Sequence, residues 1–194
     1  RISEIIYDSN ILQNRKMNDT DIEVLKTLVM ASDNFIVNRP SFNLHTIIAG
    51  YPWFLDWGRD SLISFEGLLL VTKRYDLAKE VLLTNIQDIK FGLVPNGYSG
   101  YDNRPLYNSA DSSLLLIEQV YKYLKYTNDT QFVEQFYPIL TKIMEAYSSR
   151  IDIDGDNIYL DTDNLISAGT DKTQITWMDA KIGDKVVTPR NGKT

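Results

Sequence analysis

The chain carries, at residues 51–75, the sequence YPWFLDWGRDSLISFEGLLLVTKRY. Apolar side chains from Leu62 to Val71 cover most of the circumference of a helix over Ser61 to Tyr75, and Asp60 is a residue type that caps helices. A helix that is apolar nearly all round is buried. The residues before it include a proline, a glycine and several aromatic side chains, so we predict a loop that packs on something or binds something.

The same pattern continues along the chain. Four further helices are predicted: over residues 20–36 with a capping box from Thr20 to Glu23, after Asp76, after Asp111, and from Asp129 onwards with a kink or a new turn at Pro138. Helices with a wide apolar face alternate with helices that have a narrow apolar stripe. Stacked helical hairpins, with inner helices enclosed by outer ones, produce this alternation, so we predict an all-α fold.

The C-terminal part of the chain has a different composition. Residues 151–171 are polar and rich in Asp, so we expect loop there, or a short β-hairpin near 151–165. No stretch of linker composition divides the chain. We therefore predict one domain over residues 1–194.

The composition argues against several classes of protein. A net charge of −6 and a sequence pI of about 4.8 disfavour nucleic-acid binding. The absence of cysteine excludes disulfides, thiolate zinc sites and cysteine nucleophiles, and it fits a cytoplasmic protein. Ser41 to Leu55, the longest uncharged stretch, is too short and too polar to span a membrane. We expect no metal site, because the aspartates 152, 154, 156 and 163 resemble a calcium loop in which Gly155 is out of place.

Charged and aromatic residues meet just before the two wide-faced helices. Arg59 and Asp60 stand beside two indoles, which suits a sugar whose C–H faces lie on aromatic rings while its hydroxyls bond guanidinium and carboxylate. The structural alternative is that Asp60 only caps its helix and pairs with Arg59. Asn108 and Asp111 precede the next such helix and should open onto the same end of the bundle, although Asp111 alone is more typical of an N-cap.

The segment Thr176-Trp177-Met178-Asp179 contains the best candidate for a proton donor. An acid beside an indole and a thioether can lose hydration and keep its proton nearer to neutral pH, which protonation of a glycosidic oxygen requires. A surface aspartate beside a core tryptophan fits the same four residues. His45, the sole imidazole, has no Gly-x-Ser-x-Gly elbow to accompany it, so we expect a packed or exposed side chain there.

Several segments, taken in order, resemble a known family. They are Ala49-Gly50-Tyr51-Pro52-Trp53-Phe54, Asp56-Trp57-Gly58-Arg59-Asp60, Gly92-Leu93-Val94-Pro95-Asn96, Tyr107-Asn108-Ser109-Ala110-Asp111, Thr176-Trp177-Met178-Asp179 and Thr188-Pro189-Arg190. The order is that of the amylo-α-1,6-glucosidase domain of glycogen debranching enzymes, over roughly residues 45–194. The resemblance implies a toroid of six α/α hairpins, related to the glucoamylases, with its active site at the funnel where inner-helix N-termini and long loops meet. We therefore expect a partial (α/α)6 toroid.

The family hydrolyses, with inversion, the single α-1,6-linked glucose that is left at a trimmed branch point. Inversion needs a carboxylic acid and a carboxylate about 6.5–9.5 Å apart. By resemblance, Asp179 matches the general acid, and Arg59 and Asp60 match the residues that hold the terminal glucose. The resemblance also assigns residues to the pocket lining: Trp53, Trp57, Asn108, Asp111, Trp177 and Arg190, followed by Tyr51 and Asp56. It implies an α-glucan such as glycogen or limit dextrin as the partner, and no cofactor.

The general base of this family comes from a loop well after the acid, whereas the chain ends fifteen residues after Asp179. A complete toroid needs on the order of 300 residues. We therefore expect residues 1–194 to form an incomplete catalytic domain that lacks the base and has little or no hydrolytic activity by itself. An apolar flank left open in this way would favour a homodimer.

Two other interpretations fit the same residues. Trehalase-like and invertase-like toroids also place an Arg-Asp pair and an acid at the funnel. These residues therefore fit several sugar substrates. In a noncatalytic carbohydrate-binding or helical interaction domain, Asp179 would be an ordinary aspartate and the aromatic side chains would only stack on glycan.

Overall fold

The computed structural model describes residues 2–13, 16–99, 102–153 and 155–193. Within these ranges the protein is predominantly helical, as predicted. The helices are α1 (Ile2–Gln13), α2 (Asp19–Ala31), α3 (Gly58–Phe65), α4 (Tyr75–Ile86), α5 (Ser112–Thr127), α6 (Thr130–Glu134) and α7 (Tyr137–Ser149). α1 was not predicted from the sequence.

Short antiparallel strands lie between the helices and after the last one, so the all-α prediction is incomplete. The pairs are β1 (Ile36–Arg39) with β2 (Leu44–Ile47), β3 (Gly97–Tyr98) with β4 (Pro105–Leu106), β5 (Tyr159–Leu160) with β6 (Ile166–Ala168), β6 with β9 (Gly192–Lys193), and β7 (Lys181–Ile182) with β8 (Lys185–Val186). The short hairpin predicted near 151–165 is confirmed as β5–β6, and it extends to Ala168.

The first hairpin replaces the end of a predicted helix. α2 ends at Ala31 rather than near residue 36, because Ser32–Phe35 forms a 3-10 turn and Ile36 then pairs with Ile47. In the hairpin turn, Asn43 adopts a left-handed φ of 53° and donates its N–H to the Arg39 carbonyl at 2.9 Å. β-branched side chains at 36 and 37 favour the strand.

His45 fastens this hairpin to α4. Its Nδ1 lies 2.7 Å from Oε2 of Glu80, and its backbone N–H donates to the same oxygen at 3.1 Å. The imidazole hydrogen bond lowers the pKa of the Glu80 carboxyl. The sole histidine therefore holds two elements together, in agreement with the packed or exposed side chain that was expected.

α3 begins earlier than predicted. Trp57, with extended backbone, occupies the N-cap position, and the helix starts at Gly58 rather than Ser61. Asp60 lies inside the first turn, where a carboxylate is favoured by the helix dipole, so the interpretation of Asp60 as the cap is wrong. The helix continues into a π-helical segment, Glu66–Leu70.

The buried core lies between α3, α4 and α5. Leu62, Phe65, Leu69 and Leu70 are fully buried, whereas Ile63 is 62% exposed, so α3 is buried on most but not all of its surface. α5 contributes Leu116, Val120 and Tyr123 to the same core. This packing fixes the N-termini of α3 and α5 relative to each other.

Side-chain caps mark the starts of α2 and α6, and a proline marks the start of α7. The box at the start of α2 uses Asn18 and Asp21, not Thr20 and Glu23. Asp129 caps α6 as predicted, by accepting the N–H of Phe132 at 3.1 Å. The predicted fifth helix is divided in two, and Pro138 stands in the first turn of α7, which confirms the alternative of a new turn.

The described residues contain neither a helix suited to cross a membrane nor a group of metal-binding side chains. No described helix combines the length and the apolar character that a membrane crossing demands. In the same part of the chain, no three His, Cys, Asp or Glu side chains are grouped so that they could hold a metal ion. Asp154 of the calcium-like sequence lies outside the described residues.

Candidate functional site

An aromatic loop precedes α3 and presents its side chains to solvent. Within residues 50–55, Tyr51 is 62%, Trp53 85% and Phe54 62% exposed. The neck of the loop is closed by a hydrogen bond from the Ala49 N–H to the Leu55 carbonyl, at 2.9 Å. So much exposed aromatic surface on a closed loop is typical of a binding surface.

Behind this loop, the turn into α3 packs against the segment at residues 95–97. The Gly58 N–H donates to the Asn96 carbonyl at 2.8 Å, and the indole of Trp57 lies against Gly97, where a Cβ would come within 2.9 Å of the ring. Trp57 is therefore half-buried, with part of its ring already in contact with the protein. The motifs 56–60 and 92–96 thus form one structural unit.

Gly58 is required by this contact. A Cβ at position 58 would meet the Pro95 carbonyl oxygen at a distance that real Cβ atoms do not adopt. We expect Gly58→Ala to destabilise the protein by about 1–3 kcal/mol, because backbone rather than a flexible side chain must move. Thermal unfolding followed by circular dichroism measures this.

Gly67→Ala is the matched control, because a Cβ there meets nothing within 4 Å. Alanine is the better helix former, so this variant should be as stable as the parent or more stable. Equal melting temperatures for the two variants would contradict the role assigned to Gly58.

An ion pair joins the N-termini of α3 and α5. Arg59, which is 7% exposed, donates from Nε to Oδ2 of Asp111 at 2.7 Å and from Nη2 to Oγ of Ser109 at 3.3 Å. Ser109 donates in turn to Oδ1 of Asp111 at 2.5 Å. The prediction that residues 59 and 111 open onto the same end of the bundle is confirmed.

These contacts correct two structural alternatives. Arg59 pairs with Asp111 and not with Asp60, which is exposed in the first turn of α3. Asp111 occupies the N-cap position of α5, but its side chain makes no capping hydrogen bond. Its carboxylate is instead committed to Arg59 and Ser109.

Three unpartnered polar atoms belong to segments that adjoin the residues of the ion pair. Within the described part of the chain, the buried atoms Asn96 Nδ2, Asn108 Oδ1 and Thr176 Oγ1 have no hydrogen-bond partner. Asn96 accepts the Arg59 N–H through its Oδ1 at 3.3 Å, and Asn108 precedes Ser109. Buried unsatisfied polar groups cost about 1–3 kcal/mol each, and Gln119 and Gln174 also carry such atoms. Those on Asn96, Asn108 and Thr176 are available to a polar ligand.

The segment that carries Asp179 is anchored beside Asp111. Ala110 donates its N–H to the Ile175 carbonyl at 2.9 Å, and its own carbonyl accepts the Tyr147 hydroxyl at 2.6 Å. Burial raises the pKa of Tyr147, so this phenol remains a donor. The chain then runs from Ile175 to Asp179, which is half-buried.

Trp177 and Arg190 lie together in this region. The guanidinium carbon of Arg190 is 5.5 Å from the centre of the Trp177 ring, and the Thr188 hydroxyl donates to the Met178 carbonyl at 3.1 Å. Trp177 is 63% exposed, so the alternative in which a surface aspartate stands beside a core tryptophan is wrong about the tryptophan. The two C-terminal motifs are therefore adjacent, with an exposed aromatic face.

Asp56 has a different partner from the other candidates. It forms an ion pair with Arg39, at the end of β1, and not with Arg59. Sequence reasoning missed Arg39, and it also missed Ser109, which bridges Arg59 and Asp111. The only available signal was the position of Ser109 inside a motif; nothing in the sequence marked Arg39.

Comparison with known proteins identifies the family of the chain. The profile of the family described as amylo-alpha-1,6-glucosidase matches residues 30–194. The glycogen debranching enzyme of Saccharomyces cerevisiae is 35% identical to the chain over 101 residues, which are 50% of this chain and 6% of the yeast protein. The match thus spans a small part of that relative's length. Since the family profile covers most of the sequence, the chain belongs to the amylo-alpha-1,6-glucosidase family.

Proposed function

We propose that the chain forms part of a glycosidase that removes α-1,6-linked glucose from the branch points of an α-glucan such as glycogen or limit dextrin. The observation that carries the proposal is the Arg59–Ser109–Asp111 cluster at the N-termini of two packed helices. Exposed aromatic side chains lie on the loop that precedes α3. Another, Trp177, lies on the segment that is hydrogen-bonded to Ala110, just before α5. Family membership and the yeast relative support a glucan as the substrate.

In this proposal, the terminal glucose is held by charged and aromatic side chains together. Arg59 and Asp60 bind its hydroxyls, with Asp111, Asn108 and Arg190 around them. Its C–H faces stack on indole or phenol rings of the binding surface: Tyr51, Trp53, Trp57 and Trp177. Asp56 contributes to glucose binding indirectly, through its position at the neck of the aromatic loop.

Asp179 donates the proton in the proposed reaction. Its carboxylic acid protonates the glycosidic oxygen while a second carboxylate, on the opposite face of the sugar, activates water for inverting attack. We place that base in a part of the family domain outside the 194 residues, and we propose that the helices described here belong to an (α/α)6 toroid. No cofactor takes part in this acid–base mechanism.

Tryptophan fluorescence tests the proposed substrate, because Trp53 and Trp177 are exposed. The chain is titrated with a maltooligosaccharide that carries one α-1,6-linked glucose, and with trehalose and sucrose in parallel. We expect saturable quenching or enhancement with the branched oligosaccharide at concentrations where the disaccharides give none. Tighter binding of trehalose or sucrose would favour a trehalase-like or invertase-like site, and binding of no sugar would contradict the proposal.

Trp53→Ala should weaken binding of the branched oligosaccharide about tenfold, which corresponds to about 1.4 kcal/mol. The ring is 85% exposed, so its loss should change stability by less than about 0.5 kcal/mol. Isothermal titration calorimetry and thermal unfolding measure the two effects. Tyr137→Ala, at a 72% exposed ring on α7, is the control and should change neither. Unchanged affinity after Trp53→Ala would remove the aromatic loop from the proposed site.

A further inference from the structure

Arg39 is a buried cation that none of the sequence motifs contains. It is 9% exposed, at the end of β1, and its three guanidinium nitrogens have three different partners. Nη1 pairs with Asp56, Nη2 donates to Oδ1 of Asn103 at 2.8 Å, and Nε donates to Oγ of Ser41 at 3.0 Å. These partners come from three separate segments of the chain.

Two aromatic rings complete the surroundings of the guanidinium. Its central carbon is 3.8 Å from the centre of the Tyr98 ring and 5.0 Å from that of Phe42. Burial and the nearby Asp88 carboxylate raise the pKa of Tyr98, so the ring beside the cation stays neutral. A planar, delocalised cation with a fixed fork of donors fits this environment, and a lysine ammonium does not.

The ion pair between Arg39 and Asp56 holds the chain at the end of the aromatic loop. Asp56 directly follows Leu55, whose carbonyl accepts the Ala49 N–H that closes the neck. Arg39 therefore ties the neck to the β1–β2 hairpin on one side and, through Asn103, to the segment between β3 and β4 on the other. Tyr51, Trp53 and Phe54 are themselves largely exposed, so the protein fixes their position mainly through this neck.

We infer that Arg39 is a positioning residue, which holds the neck of the aromatic loop so that Tyr51, Trp53 and Phe54 form a preorganised stacking surface for glucan. The inference rests on the proposed function for its ligand, and on the contacts of Arg39 for its mechanism. A preorganised loop binds more tightly because less conformational freedom is lost on binding. The effect belongs to binding, so it should raise KM for a branched glucan and leave kcat nearly unchanged.

Arg39→Lys tests the inference, because it keeps the charge and removes the fork and the stacked plane. We expect the amide of Ala49 to exchange with solvent at least tenfold faster by NMR, and the branched oligosaccharide to bind about tenfold more weakly. Asp56→Asn removes the same ion pair from the loop side and should give the same two changes. It serves as the second variant if Arg39→Lys does not fold.

Arg74→Lys is the matched control. Arg74 is 4% exposed and pairs with Asp33 at 2.5 Å, while its Nη2 also donates to the Val29 carbonyl at 3.1 Å. This variant should lower the melting temperature but change neither the Ala49 exchange nor the glucan affinity. A purely structural role for Arg39 would make the two arginine variants alike.

Three results are decisive. Unchanged Ala49 exchange in both Arg39→Lys and Asp56→Asn would overturn the inference, and so would faster exchange with unchanged glucan affinity. If the parent chain binds no glucan, the proposed function fails, but the exchange of Ala49 still decides whether Arg39 fixes the loop.

Discussion

Asp179→Asn should lower the rate of glucose release from a branched α-glucan by about 10³-fold, with little change in glucan binding. An amide cannot give up a proton to the glycosidic oxygen, and general acid catalysis contributes roughly 10²–10⁴-fold. The half-buried position of Asp179 and the similar size of Asn leave the surrounding fold unchanged. The rate is measured as free glucose released by a protein in which residues 1–194 are joined to the rest of the family domain, called the full-length protein below. Binding is measured by fluorescence titration.

Asp184→Asn is the matched control for this experiment. Asp184 is an exposed aspartate in the turn between β7 and β8, in the same C-terminal region. It should leave both rate and affinity unchanged. If Asp179→Asn hydrolyses as fast as the parent, Asp179 is not the acid, and the noncatalytic carbohydrate-binding interpretation gains.

Arg59→Met should have the largest effect on binding. It removes the donors to Asp111 and Ser109 at the centre of the proposed pocket, and we expect at least a 100-fold loss of affinity for the branched oligosaccharide. The free energy of unfolding should fall by about 1–3 kcal/mol, less than for a fully buried pair, because the Asp111 side chain is 41% exposed and keeps part of its hydration.

Two further variants separate binding from stability. Arg59→Lys keeps the charge but not the fork, so affinity should still fall by at least tenfold while stability recovers in part. Asp111→Asn keeps the shape, and the double variant measures the coupling between the two residues. Wild-type affinity in Arg59→Lys would show that the Arg59 fork makes no contact with the sugar. Calorimetric titration and urea unfolding give the two quantities.

Parts of the site could be predicted from the sequence, namely those residues whose place is determined by a motif and the helix that follows it. Arg59 and Asp111 each stand at the start of an apolar helix, and packing of those helices brings them to 2.7 Å. Their mutual pairing was not among the alternatives, because the sequence shows only local interactions, such as pairing of Arg59 with Asp60 and N-capping by Asp111. The contact between α3 and α5 overrides both.

The start of α3 shows the same limit. Gly58 looks like a helix breaker, so the helix was predicted to begin at Ser61. In the structure, Gly58 is the first helical residue. Glycine is needed at this position because the Pro95 carbonyl leaves no space for a side chain. Pro95 lies 37 residues away along the chain. The acceptor of the Gly58 N–H, the Asn96 carbonyl, lies one residue beyond it.

Arg39 and the hairpins other than β5–β6 were beyond sequence reasoning for a related reason. The strands of β3–β4 have two residues each, too few to show an alternating pattern. The partners of Arg39 at positions 56 and 103 are distant in sequence, and a single arginine carries no periodic signal. Predominantly helical architecture was predictable, since it follows from apolar faces many residues long.

The anomeric form of glucose released from phosphorylase-limit dextrin tests the central proposal most directly. The full-length protein is mixed with the dextrin, and proton NMR follows the first glucose formed before it equilibrates in solution. Inverting hydrolysis of an α-1,6 bond predicts β-glucose as the initial product, with none from Asp179→Asn. Initial α-glucose, or no glucose at all, would contradict the account.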